Sequence, residues 1–171
     1  MYKRQVGCTT NATVTQARVR LIGTFFNTGI PIPGNQTGDV IAQMRVSRLS
    51  NSQDAPNMVR VDAALLRCND ATCSSQTLYD SPAPDFGPLE VGKPVTLQIQ
   101  WDKANKSFLF RRDTGVPYRI GYEDDDSHPP STDFKHLRIT GTVPNCTALP
   151  RPTSAVDVTF DGFSVNESAA P

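Results

Sequence analysis

The chain of 171 residues sets 17 Lys and Arg against 17 Asp and Glu, and no Lys/Arg run exceeds two residues. That balance lacks the basic footprint of a nucleic-acid binder or of a protein held on an anionic membrane. The length suits one domain able to bury roughly 70 % of its unfolded surface, and no apolar run approaches the roughly 20 residues of a membrane-spanning helix.

Fourteen prolines and few helix formers favour turns between strands, as does an acidic set that is Asp except for Glu90, Glu123 and Glu167. Met1-Tyr2-Lys3-Arg4-Gln5 reads as the translation of a transposase-type sequencing adaptor with an alternative start codon. The natural sequence is then expected to begin near Val6, as a single domain over 6–171 truncated at its N-terminus. On that expectation, the start of the chain says nothing about a signal peptide.

Gln16–Phe26 predicts a first strand, with Val19 and Leu21 opposed to Arg18, Arg20 and Ile22. Pro31, Pro33 and Gly34 make Asn27–Gly38 a loop. Asp39–Leu49 alternates cleanly, Val40, Ala42, Met44 and Val46 against Gln43, Arg45 and Ser47. After a polar turn over Ser50–Asn57, Met58–Cys68 places Val59, Val61, Ala63 and Leu65 inward, and Arg60 and Asp62 outward. Gln76–Asp80 is a short strand, and Ser81–Gly92, with Pro82, Pro84 and Pro88, a loop.

The strongest local signal is Pro94–Arg112. Val95, Leu97, Ile99 and Trp101 alternate with Thr96, Gln98 and Gln100, Asp102–Lys106 turns, and Phe108-Leu109-Phe110 opens the return strand. Val116–Tyr122 is a short edge strand, since Pro117 cannot donate to a ladder. Glu123–Asp133 is an exposed acidic loop, Leu137–Val143 a strand, Pro144–Pro152 a loop and Ala155–Val165 a last strand with Val156, Val158 and Phe160 inward. Nine or so strands with hardly a helical pattern predict an all-β fold, a two-sheet antiparallel β-sandwich.

Cys8, Cys68, Cys73 and Cys146 allow three pairings. Cys68 and Cys73 enclose a tight polar turn, and a bridge there removes on the order of 2 kcal/mol of unfolded-state entropy. Cys8–Cys146 is the remaining pair. A zinc site would need a second close ligand pair, whereas Cys8 and Cys146 are far apart and His128 and His136 stand alone. Disulfides imply an oxidising compartment, so the chain is expected to be secreted, periplasmic or on the cell surface. Five sequons, at Asn11, Asn35, Asn105, Asn145 and Asn166, suit exposed loops and carry no meaning in a bacterial protein.

The run Val91-Gly92-Lys93-Pro94-Val95-Thr96-Leu97-Gln98-Ile99, followed by Phe108-Leu109-Phe110, resembles the central hairpin of concanavalin A-like jelly rolls (the laminin G, legume lectin and glucanase folds). Phe160-Asp161-Gly162-Phe163-Ser164-Val165 is similar to their closing strand, and together the resemblance covers about 30 of the 171 residues. It implies a jelly roll whose concave sheet could bind a glycan or peptide; a fold does not by itself assign that function.

Glycoside hydrolysis on such a fold would need two carboxylates about 5–5.5 Å apart in a retaining enzyme. The Glu-x-Asp-x-Glu pattern of the family is absent; Glu123-Asp124-Asp125-Asp126-Ser127 comes nearest. Glu123, Asp124, Asp125 and Asp126 could instead ligate Ca²⁺, with a solvated loop as the plain alternative. No Gly-x-Ser-x-Gly elbow supports a triad around His128 or His136. Trp101 continues an apolar face and is expected in the core. Tyr79, Tyr118 and Tyr122 are better candidates for glycan contact, with Gln98, Gln100 and Arg111 as polar partners, unless all six are ordinary surface residues. The expectation is a non-catalytic module with a glycan or surface protein as partner, or a spacer in a larger chain. The alternative is a diverged glycoside hydrolase or polysaccharide lyase using Asp residues.

Overall fold

The computed structural model describes residues 14–144 and 154–165, and the backbone of residues 6–9. The strands are β1 (Val6–Thr9), β2 (Gln16–Asn27), β3 (Asp39–Leu49), β4 (Met58–Cys68) and β5 (Gln76–Leu78), then β6 (Asp85–Glu90), β7 (Leu97–Asp102), β8 (Ser107–Arg112), β9 (Tyr118–Gly121) and β10 (Lys135–Pro144). One sheet runs β1-β10-β2-β3-β4-β5, with β6 also on β4; the other is β7-β8-β9. All pairings are antiparallel except that of β1 with β10. The fold is an all-β sandwich. Among the described residues no helix is long and apolar enough to cross a membrane.

The alternation read from the sequence decides which face of each strand meets the other sheet. Val40, Ala42, Met44, Val61, Ala63 and Leu65 from the large sheet pack on Phe108, Phe110 and Ile120 of the small one. Burying each large apolar side chain contributes roughly 1.5–3 kcal/mol. Trp101 is half-buried among them, stacked on Phe26 at 5.6 Å and on Phe108 at 6.2 Å. It is a core residue, as expected. The register between β2 and β3 slips between Thr24 and Phe26, so a bulge turns both Phe25 and Phe26 toward this cluster where strict alternation would separate them.

The Asp102–Lys106 turn closes as the hairpin pattern requires. Lys103–Asn105 forms one short 3-10 turn, Asp102 accepts from the Asn105 amide at 3.2 Å, and Lys106 leaves in the left-handed region at φ 44°. Elsewhere the boundaries differ from expectation. Asp85–Glu90 lies inside the predicted loop yet forms β6; it pairs with β4 alone, an edge position where Pro88 withholds no needed donor. β9 is confined to Tyr118–Gly121, so Pro117 falls outside the ladder.

Ala155–Val165 is not a strand. Val156, Val158 and Phe160 keep their alternate half-burial, but no ladder forms. The flanks of β2 are taken by β10 and β3, and the far side of β10 by β1. Alternation marks one half-buried face and does not by itself supply a hydrogen-bonded partner strand.

Candidate functional site

At one rim of the sandwich, Tyr79, Gly121, Tyr122, Glu123 and Asp124 line a shallow, open depression of about 420 Å³. Three elements converge there. Tyr79 follows β5 and is fixed by its amide bond to the Leu65 carbonyl at 3.1 Å. Tyr122 follows β9 and is held by its own amide on the Lys106 carbonyl at 3.0 Å. Arg67, near the end of β4, shares the inward side with Val40, its partner in register.

The acidic loop closes the site. Arg67 Nη1 donates to Asp124 Oδ1 at 3.0 Å, the Tyr79 hydroxyl donates to Asp124 Oδ2 at 2.5 Å, and Lys106 Nζ donates to the Asp124 carbonyl at 3.0 Å. Beside them Trp101 Nε1 donates to the Tyr122 hydroxyl at 2.7 Å, which donates to Asp126 Oδ2 at 2.6 Å. Burial, then the bond to Asp124, pushes the Tyr79 phenol far above its ordinary pKa; burial and then Asp126 do the same for Tyr122. The hydrogen bonds to Asp124, Trp101 and Asp126 fix both rings in orientation.

The loop is anchored from beneath. Asp39 is fully buried and accepts from Asn27 Nδ2 at 2.8 Å, the Ser131 amide at 2.7 Å and the Thr132 amide at 3.3 Å. The Asn27 amide bonds to the His128 carbonyl at 3.0 Å. Gly38 adopts φ +84°, and a Cβ there would stand 2.8 Å from Asn27 Oδ1, so a side chain would break into this network.

The fold splits the six residues expected to contact ligand. Tyr79 and Tyr122 meet at the depression. Tyr122, expected to be exposed, is instead buried in the core, its ring 4.9 Å from that of Phe26 and 5.8 Å from that of Phe108, and of the two only Tyr79 keeps partial exposure. Tyr118 lies outside it, donating to Asp80 at 2.7 Å. Gln98 and Arg111 face one another in register, with Gln100 two residues along, on the outer side of the small sheet, where their neighbours Ile99 and Phe110 face the core. Of the acidic run, Asp124 and Asp126 are engaged by the tyrosines, Asp125 accepts from the Ser127 amide at 3.0 Å, and Glu123 is exposed on the rim. Among the described residues no three His, Cys, Asp or Glu side chains converge to hold a metal ion, and the Asp124 oxygens that would ligate Ca²⁺ already accept from Arg67 and Tyr79.

Cys68 and Cys73 are joined at disulfide distance, with Cα atoms 4.7 Å apart. The turn between them is organised by Asp70, whose carboxylate accepts from the Thr72, Ser74 and Ser75 amides. Cys8 and Cys146, and with them the second bridge, lie outside the described side chains. So do the sequons at Asn11, Asn145 and Asn166; Asn35 and Asn105 lie on turns.

One set of residues escaped the sequence reading. Arg18, Arg20, Arg45 and Arg138 share the outer face of the large sheet. The signal was the recurrence of Arg on the polar side of three separate strands. Their adjacency depends on strand register, which no single strand reveals. Comparison with protein-family models, curated proteins and solved structures found no match.

Proposed function

We propose that this chain is a non-catalytic binding module of a secreted, periplasmic or surface protein, and that it binds carbohydrate at the rim depression. One observation carries the reading: Tyr79, Tyr122 and Asp124 line an open hollow of about 420 Å³ and are locked in place by Trp101 and Arg67. Sites that hold sugars combine apolar ring surface with a few fixed polar groups, and pre-organised groups lose little entropy when a ligand arrives. The concanavalin-like resemblance agrees with a lectin-like role. The Cys68–Cys73 pair fits an oxidising compartment.

A diverged hydrolase or lyase would need an acid free to give and take a proton. Asp124 is spanned by a guanidinium and a phenol, and Asp126 by a second phenol, which suits holding a shape better than moving a proton.

A glycan array, followed by calorimetry on the best neutral saccharide, tests the assignment. Tyr79→Ala and Asp124→Ala should each weaken binding at least tenfold, with or without added Ca²⁺. Absence of binding to every saccharide, or affinity untouched by both variants, would refute it.

A further inference from the structure

The outer face of the large sheet concentrates charge in a chain whose formal net charge is zero. Register sets Arg138, Arg20, Arg45 and Asp62 side by side across β10, β2, β3 and β4. Arg18 follows on the same face, two residues from Arg20 and level with Thr140 and Ser47. These positions alternate with Val19, Met44 and Val61, which are buried on the other side.

Adjacent strands lie only about 4.8 Å apart, and like charges set directly opposite destabilise a sheet. The carboxylates at the β4 and β6 end of the row do not offset this, since Asp85, opposite Asp62, is paired with Arg60. Asp62 is committed to Arg45. Among the described residues Arg20 makes one long bond, from Nη1 to Gln43 Oε1 at 3.5 Å. The buried Nε atoms of Arg18 and Arg20 have no partner at all. Arg138 is exposed. Burial first, then the charges of Arg18, Arg138 and Arg45, pull the Arg20 guanidinium down from 12.5 to about 10. The face is short of negative charge.

We propose that the arginine row formed by Arg138, Arg20 and Arg18 is a binding site for a tetrahedral oxyanion, carried as a sulfate ester on an extended saccharide chain. The planar guanidinium fork matches an oxyanion in two-point contact, and a group with three free oxygens can be shared by three neighbouring arginines. The surroundings fit a sugar backbone. Thr140 offers a half-buried hydroxyl on the same face, and at its end His136 stacks on Phe134 at 4.7 Å. The site is distinct from the rim depression: Arg67 lies on the inward side of the sheet, and these arginines on the outward side.

The experiment uses the full chain and four probes at matched ionic strength: dextran sulfate, uncharged dextran, sodium sulfate and single-stranded DNA. Arg138→Ala and Arg20→Ala are compared with the parent by calorimetry and thermal melting. Dextran sulfate should bind the parent and raise its melting temperature, and each substitution should weaken that binding at least tenfold. Without any anion both variants should melt no lower than the parent, because each removes repulsion; this separates a lost site from a lost fold. Equal dextran sulfate binding by parent and variants would overturn the site. Binding of sodium sulfate as tight as that of dextran sulfate, or of DNA in preference to dextran sulfate, would overturn the saccharide as ligand.

Discussion

Asp39→Ala probes the network that holds the candidate site together. The wild-type carboxylate is fully buried and receives two short bonds, from Asn27 Nδ2 at 2.8 Å and the Ser131 amide at 2.7 Å, with a longer one from Thr132 at 3.3 Å. A hydrogen bond to a charged group contributes about 1.5–3 kcal/mol, and a buried donor left without an acceptor costs about 1–3 kcal/mol. Taking about 1.5 kcal/mol for each short bond, and setting the long one against the desolvation that the carboxylate no longer suffers, gives a loss of about 3 kcal/mol. At about 2–4 °C per kcal/mol for a chain of this size, the melting temperature should fall by about 10 °C. Urea unfolding followed by circular dichroism and by the fluorescence of the single tryptophan, Trp101, measures it. Saccharide binding should weaken more steeply than stability alone dictates, because the freed loop carries Asp124 and Asp126. A change under 0.5 kcal/mol would refute the anchoring role of Asp39.

Alkaline titration tests the tyrosines. Tyr79 and Tyr122 have folded pKa values raised above the free value of about 10. Below pH 10 both states hold the protons and the contribution is complete; above it the unfolded chain releases them first, so stability falls as pH rises. Phenolate absorbance should show these two rings titrating last, with unfolding, and simultaneous titration of all four tyrosines in a folded protein would refute this. Phe108→Ala should cost about 3–5 kcal/mol in urea unfolding, since the ring is fully buried between the sheets, while Leu109→Ala on the half-buried outer side should cost less. Reducing Cys68–Cys73, or replacing Cys73 by Ser, should lower stability by about 2 kcal/mol. Thiol counting on unreduced protein should find neither cysteine reactive, and four reactive thiols would overturn the bridge.

Local sequence was enough for the strand faces. Val40–Val46, Val59–Leu65 and Leu97–Trp101 alternate because successive side chains on an extended chain point opposite ways, whatever the neighbours are. The same rule placed Trp101 in the core, while the short spacing across a polar turn pointed to the Cys68–Cys73 pair. It misled at Ala155–Val165, where the alternation of half-buried and exposed residues is present but no ladder forms, because alternation reports a face and not a paired neighbour. Pro84 and Pro88 hid β6, because proline excludes central strands and not edges.

What the sequence determined alone is therefore the class of fold and the inward face of each strand, both set by short-range periodicity. The tertiary structure decided which residues meet. Tyr79 and Asp124 lie 45 positions apart and share a hydrogen bond; Arg20 and Arg138, further apart still, stand opposite in register. Register is chosen by the summed fit of two whole sheet faces, and a shift of one residue would send each side chain to the other side. The candidate sites exist only once that choice is made.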